Sequence, residues 1–98
     1  MIDFSQLAVF IDTQRDGAAM VISPHIESPT PLNLRYRMTV SQQSAGGTSN
    51  VNQQGEIETG VVPSSVRLSL PAGATCTVHL EVLQGDVMVK ALDQRCDL

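Results

Sequence analysis

The segment from Leu32 to Val40 alternates strictly between apolar and polar side chains. A period of two is typical of a β-strand with one buried face and one solvated face, because a helix would scatter the same apolar side chains around its circumference. The predicted buried face consists of Leu32, Leu34, Tyr36, Met38 and Val40. The segment therefore predicts a half-buried strand that displays Arg35 and Arg37 on its solvated face.

Shorter strand signals recur along the chain, with turn residues between them, at the spacing typical of an all-β sandwich. They predict further strands at 7–12, 18–26, 50–58, 66–70, 76–82 and 87–92. Because a proline cannot donate to a ladder, Pro24 predicts that its strand lies at an edge or bends there. Without an amphipathic helix, these patterns predict an all-β fold: an immunoglobulin-like β-sandwich of about seven antiparallel strands, in a single domain spanning 1–98.

The composition changes abruptly after Val40. Residues 41–50 are almost entirely Ser, Gln, Gly, Thr and Asn, with almost nothing to bury. We therefore predict a mobile polar loop around 41–50, followed by a weak edge strand at 50–58.

The two cysteines, Cys76 and Cys96, lie far apart and are not in a CxxC arrangement, so with two scattered histidines they make a poor metal site. They are either bridged, which an oxidising compartment would favour, or unpaired thiols, and we favour the bridge. A two-residue turn at 84–85 would place Cys76 opposite Asp93, three residues short of Cys96. A longer turn that includes Asp86, or a bulge, would close most of that gap.

Charge and composition exclude several classes of function. The net charge of −4 argues against general nucleic-acid binding, and the absence of Trp removes an aromatic stacking platform. The longest apolar run, 7–11, is too short for a transmembrane helix, so we expect no membrane insertion. Since Met1 is followed at once by polar residues, no signal peptide is recognisable. The chain is then either cytosolic or a mature secreted domain that begins with an added Met.

No catalytic constellation is recognisable in the sequence. His25 and His79 lack a Ser, Cys or carboxylate in a known catalytic spacing, and the acidic residues lack the spacing of a calcium loop. We therefore expect no enzyme, no metal and no cofactor. What remains is a surface: Arg35 and Arg37 point the same way, so their charges should add. The alternative interpretation is a solvated face whose charges merely prevent edge pairing.

Four segments carry a resemblance to a known family: 10–17 (FIDTQRDG), 32–40 (LNLRYRMTV), 44–55 (SAGGTSNVNQQG) and 80–87 (LEVLQGDV). In order and length they resemble the small curli-associated chaperones of the CsgC family and its alphaproteobacterial counterpart, CsgH. Enterobacterial members carry a Cys-x-Cys pair where this chain has residues 32–34 (LNL). A thiol-redox role therefore does not carry over, and the cysteines fit a structural bridge, closer to the CsgH branch.

The resemblance implies an immunoglobulin-like domain that acts as a chaperone in the periplasm. Its partners would be unfolded or early-aggregating curli-type amyloid subunits, whose premature fibre formation it inhibits as a monomer through weak contacts. We expect Arg35, Arg37 and Arg67 to attract acidic or amide-rich client segments. The alternative is an immunoglobulin-like structural or adhesive accessory module of a cell-surface assembly, which would bind a folded partner stoichiometrically.

Overall fold

Two antiparallel sheets face each other in a computed structural model that describes residues 4–61 and 65–97. Sheet A has the strand order β1-β2-β5, and sheet B has the order β4-β3-β6-β7. The seven strands are β1 (Ala8–Asp16), β2 (Ala19–Glu27), β3 (Asn33–Ser44), β4 (Gly47–Glu58), β5 (Val66–Ser69), β6 (Thr75–Gln84) and β7 (Val87–Arg95). The all-β sandwich is therefore confirmed. Within those residues, no helix has the length and apolar character needed to cross a membrane.

The alternation in β3 has the predicted effect, because all five apolar side chains from Leu32 to Val40 are buried between the sheets. β6 lies beside β3 and contributes Val78, Leu80 and Val82 to the same layer, while sheet A contributes Ile22 and Ile26 from β2. Each such side chain contributes about 1.5–3 kcal/mol when it is fully buried. The core thereby fixes which face of sheet B is turned toward solvent.

Pro24 is buried within β2, which is the central strand of sheet A and not an edge strand. β5 pairs with β2 only over residues 19–22, so Pro24 lies beyond the last of these pairs and opposite Ile11 of β1. Here β2 has a ladder partner on one side only in the described structure. A missing N–H is tolerated at such a position, which explains why a strand containing a proline can occupy the middle of the sheet.

The prediction of a loop around 41–50 is wrong. These residues complete β3 and begin β4, and only 45 and 46 form the turn between them. The strands close with Ser44 opposite Gly47, which adopts a φ of 134° that favours glycine. β4 is an edge strand, as predicted, but it begins at Gly47 and not at residue 50.

Polar pairing explains why the absence of apolar residues does not produce a loop here. Ser41 donates its hydroxyl to Oδ1 of Asn50 across the ladder, at 2.8 Å. Gln42 is buried and donates its amide to the backbone carbonyl of Ser69, at 3.3 Å. Backbone hydrogen bonds and amide side chains thus extend the hairpin beyond the hydrophobic core.

Cys76 and Cys96 form a buried disulfide with a Cα–Cα distance of 4.9 Å. The predicted bridge is therefore confirmed, and the alternative of two unpaired thiols is wrong. The β6–β7 turn lies at residues 85–86, one position later than assumed, and Val89 is an extra residue where the register shifts. Moving the turn by one position shifts the cross-strand pairing by two residues, and the bulge shifts it by one more. Together they account for the three missing residues. The Cys96 N–H also donates to the Cys76 carbonyl, at 2.9 Å.

Removal of this bridge by the double substitution Cys76→Ala and Cys96→Ala should lower the free energy of unfolding. Because the cysteines are separated by 20 residues, the chain-entropy model gives a loss of about 3 kcal/mol. Urea denaturation of the oxidised wild type and the variant measures this loss. Wild type treated with reductant is the matched control and should show a similar loss. An unchanged midpoint in both samples would contradict a stabilising role for the bridge.

Candidate interaction surface

The solvent-facing side of sheet B holds two of the three arginines predicted to bind a client. Arg35 and Arg37 are two residues apart on β3, so the pleat places them on the same exposed face. Arg35 is paired in register with Glu56 of β4, and Arg37 with Glu81 of β6. Both side chains also line a shallow groove with Gln54.

The charges of these two arginines are not equally available. A nitrogen of the Arg37 guanidinium lies 3.1 Å from a carboxylate oxygen of Glu81, so the prediction that the two positive charges simply add needs correction. Arg35 forms no ion pair among the residues that the structure describes. The less compensated cation of this face is therefore Arg35, while Arg37 is 58% exposed and still able to share its donors.

Arg67 lies on the other sheet. It is exposed on β5 of sheet A, where its guanidinium is 2.7 Å from a carboxylate oxygen of Asp16. Exposed ion pairs of this kind contribute at most about 1 kcal/mol. The structure thus brings Arg35 and Arg37 together and places Arg67 on a separate surface.

His79 belongs to a network that the sequence analysis missed. Its Nδ1–H donates to Asp93 of β7 at 2.7 Å, and its Nε2–H donates to Glu81 at 3.2 Å. Since Glu81 also contacts Arg37, the network crosses β3, β6 and β7 on the outer face of sheet B. The spacing of two between His79 and Glu81 was a usable signal, because it places both side chains on one strand face. Asp93 could be added only once the hairpin register was known.

This arrangement favours a charged imidazole. Both ring nitrogens face carboxylate oxygens, and both can donate only when the ring is protonated. The hydrogen bond to Asp93, followed by that to Glu81, raises the pKa of His79 above its usual value. A general base needs a free ring nitrogen, which this geometry does not leave. His79 therefore links β6 to β7, and it contributes positive charge to the face when its ring is protonated.

The part of this face that lies between Arg37 and the β3–β4 turn is uncharged and rich in amides. Thr39 donates its hydroxyl to Oδ1 of Asn52 at 2.9 Å, beside the similar pair of Ser41 and Asn50. Gln54 follows on the same side of β4, because alternate residues of a strand share a face. Sheet B thus presents two adjoining surfaces: the charged network and this amide row.

Comparison with known proteins shows which solved structures share this fold. No protein-family model matches the sequence, and no curated protein sequence matches it. The solution structure of R. palustris CsgH is similar, with a TM-score of 0.74, 18% identity and coverage of 93% of each chain. The E. coli curli protein CsgC is also similar, with a TM-score of 0.68, 14% identity and coverage of 94% of this chain and 99% of that chain. The chain therefore has a CsgC/CsgH-type fold, and of these two it is closer to CsgH.

The His79 network should make stability depend on pH. Because the fold raises the pKa of His79, its stabilisation is fully present below its unfolded pKa of about 6.5 and is lost as the pH rises through the folded value. The wild type should therefore exceed His79→Gln in unfolding free energy by more at about pH 5.5 than at about pH 8.5, and by less than about 1 kcal/mol because the ring is partly exposed. Urea denaturation at both values measures this difference. A difference that is the same at both pH values would contradict the assignment.

Proposed function

We propose that this protein is a periplasmic chaperone that inhibits premature amyloid formation by curli-type fibre subunits. The observation that carries the proposal is the fold, which is shared over nearly the whole chain with CsgH and with the curli protein CsgC. The Cys76–Cys96 disulfide supports it, since such bridges persist in oxidising compartments, of which the periplasm is one.

The proposed contact surface is the outer face of sheet B around Arg35 and Arg37. A guanidinium offers five N–H donors, which suit both carboxylates and the amide oxygens of Asn or Gln. Each exposed contact of this type contributes about 0–1 kcal/mol. At physiological ionic strength, salt also screens the attraction between charges that lie more than about 8 Å apart. A client is then held briefly and released, as a chaperone for unfolded subunits requires.

The first test of this function is the effect on fibre formation. A curli-type subunit is followed with an amyloid dye in the presence of substoichiometric amounts of this protein. We expect a longer lag phase, and a smaller extension at high salt because the contacts are electrostatic. An unchanged lag phase would refute the chaperone function. Such a result, together with a saturable one-to-one complex with a folded surface protein, would favour the accessory module.

The second test addresses the surface. The double variant Arg35→Ala and Arg37→Ala should lose much of the lag extension while it keeps the wild-type unfolding midpoint, because both side chains are exposed. Arg67→Ala removes the same kind of charge from sheet A and should have the smaller effect. The same dye assay and urea denaturation provide both measurements. Full inhibition by the double variant would exclude these arginines as the contact surface.

A further inference from the structure

The edges of the two sheets are not equally protected. At β7, Lys90 donates its ammonium to the Leu7 carbonyl at 2.6 Å, and Gln94 donates its amide to the Ile11 carbonyl at 3.0 Å. These side chains connect the β7 edge to the β1 edge, and the bulge at Val89 further interrupts β7. The edge strand β5 has only four residues. Among the strands that the structure describes, β4 is therefore the long edge without a cover.

The ladder between β3 and β4 determines which backbone groups of β4 are free. The Thr59 N–H donates to the Leu32 carbonyl at 3.0 Å, and the register that pairs residues 33 and 58 continues without a shift to residues 44 and 47. In an antiparallel ladder, hydrogen-bonded pairs alternate with pairs whose N–H and C=O groups point away. The odd-numbered residues of β4 thus bond to β3, and the even-numbered ones direct their backbone groups outward. These outward residues are Thr48, Asn50, Asn52, Gln54 and Glu56.

This edge lacks the devices that usually prevent strand addition. Natural edges are protected by short length, charge, proline or a bulge. Residues 47–55 contain no proline and no charged residue, and the β3–β4 ladder runs through them without a bulge. Charge first appears at Glu56. The Gly60 N–H donates to the Ile26 carbonyl of β2, so the free edge of β4 ends before Gly60.

The side chains at the free edge indicate what it accepts. Asn50 and Asn52 use their Oδ1 atoms as acceptors for β3 hydroxyls, which leaves their NH₂ groups to donate elsewhere. Gln54 extends the same row. Amide side chains stack into ladders between neighbouring strands in cross-β assemblies. A charged strand would find no opposite charge along 47–55, whereas an uncharged amide-rich strand would find matching donors and acceptors.

We infer that the free edge of β4 binds an extended, amide-rich polypeptide segment by strand addition. Backbone groups of residues 48–56 supply the ladder, and the amides of Asn50, Asn52 and Gln54 select Asn and Gln in the added strand. The inference rests on the proposed function in that such a segment would belong to the amyloid client. Once bound, the segment has one of its two edges capped by a folded domain that does not itself stack.

The test uses a synthetic peptide of alternating Gln and Ser, added to the full-length protein and followed by NMR-detected hydrogen exchange. We expect the outward amides of Asn50, Asn52 and Gln54 to exchange about tenfold more slowly with saturating peptide. The amides of β7 should not change. A control peptide of proline alone has no backbone N–H to donate and adopts polyproline II structure, so it should give no protection. Unchanged exchange at the three outward amides would overturn the inference.

Variants at one position separate edge binding from general surface effects. Asn52→Pro removes an outward donor that β3 does not use, and should weaken peptide binding by about tenfold. Asn52→Lys is a second variant that protects the edge by charge and should weaken binding in the same direction. Thr77→Lys is the matched control, since it places the same charge on the same face but on the interior strand β6. Equal binding by the wild type and by a folded variant at residue 52 would overturn the inference.

The amyloid-dye assay on the same proteins separates this inference from the proposed function. If the wild type extends the lag phase and both variants at Asn52 do so equally, the edge inference fails and the chaperone function stands. If the peptide protects the edge but the wild type leaves the lag phase unchanged, the edge site is supported and the chaperone function fails. Protection that appears without peptide and rises with protein concentration would identify a second copy of this chain as the occupant, and would overturn the inference.

Discussion

The hydrogen bonding of β3 on both sides is the constraint on which the rest of the structure depends. β3 pairs with β4 over twelve residues and with β6 over nine, so its pleat sets the inside and outside of three strands at once. Because side chains alternate with a period of two, a slip of one residue would turn the apolar row of β3 toward solvent. Burial of that row therefore fixes the register, and the register fixes every cross-strand pair on the outer face.

The sequence was sufficient for the fold where hydrophobic alternation was strong. β3 and β6 have a clear apolar face, and the structure confirms the predicted sandwich. Residues 41–50 misled the prediction, because hydrophobicity detects burial and not backbone pairing. The hydrogen bonds of Ser41 and Gln42 that extend this hairpin join residues 9 and 27 positions apart in sequence. Such partners become visible only when the strands have been placed side by side.

The candidate surface was predictable in part for the same reason. That Arg35 and Arg37 share an exposed face follows from their spacing on one strand. The compensation of Arg37 by Glu81 depends on the pairing of β3 with β6, which the sequence does not reveal. The separation of Arg67 from the other two arginines depends on the assignment of β5 to sheet A. Local periodicity thus predicts which way a side chain points, while topology decides which side chains meet.

The disulfide depends on the bulge at Val89, because the bulge sets the register that brings the two cysteines together. With the extra residue in place, Cys76 and Cys96 face each other; a shift of one position would turn their side chains to opposite faces of the sheet. Within the folded hairpin, the two cysteines are therefore in bonding position only in the native alignment. The covalent bond preserves that alignment, because a bridged hairpin can no longer slip by one residue.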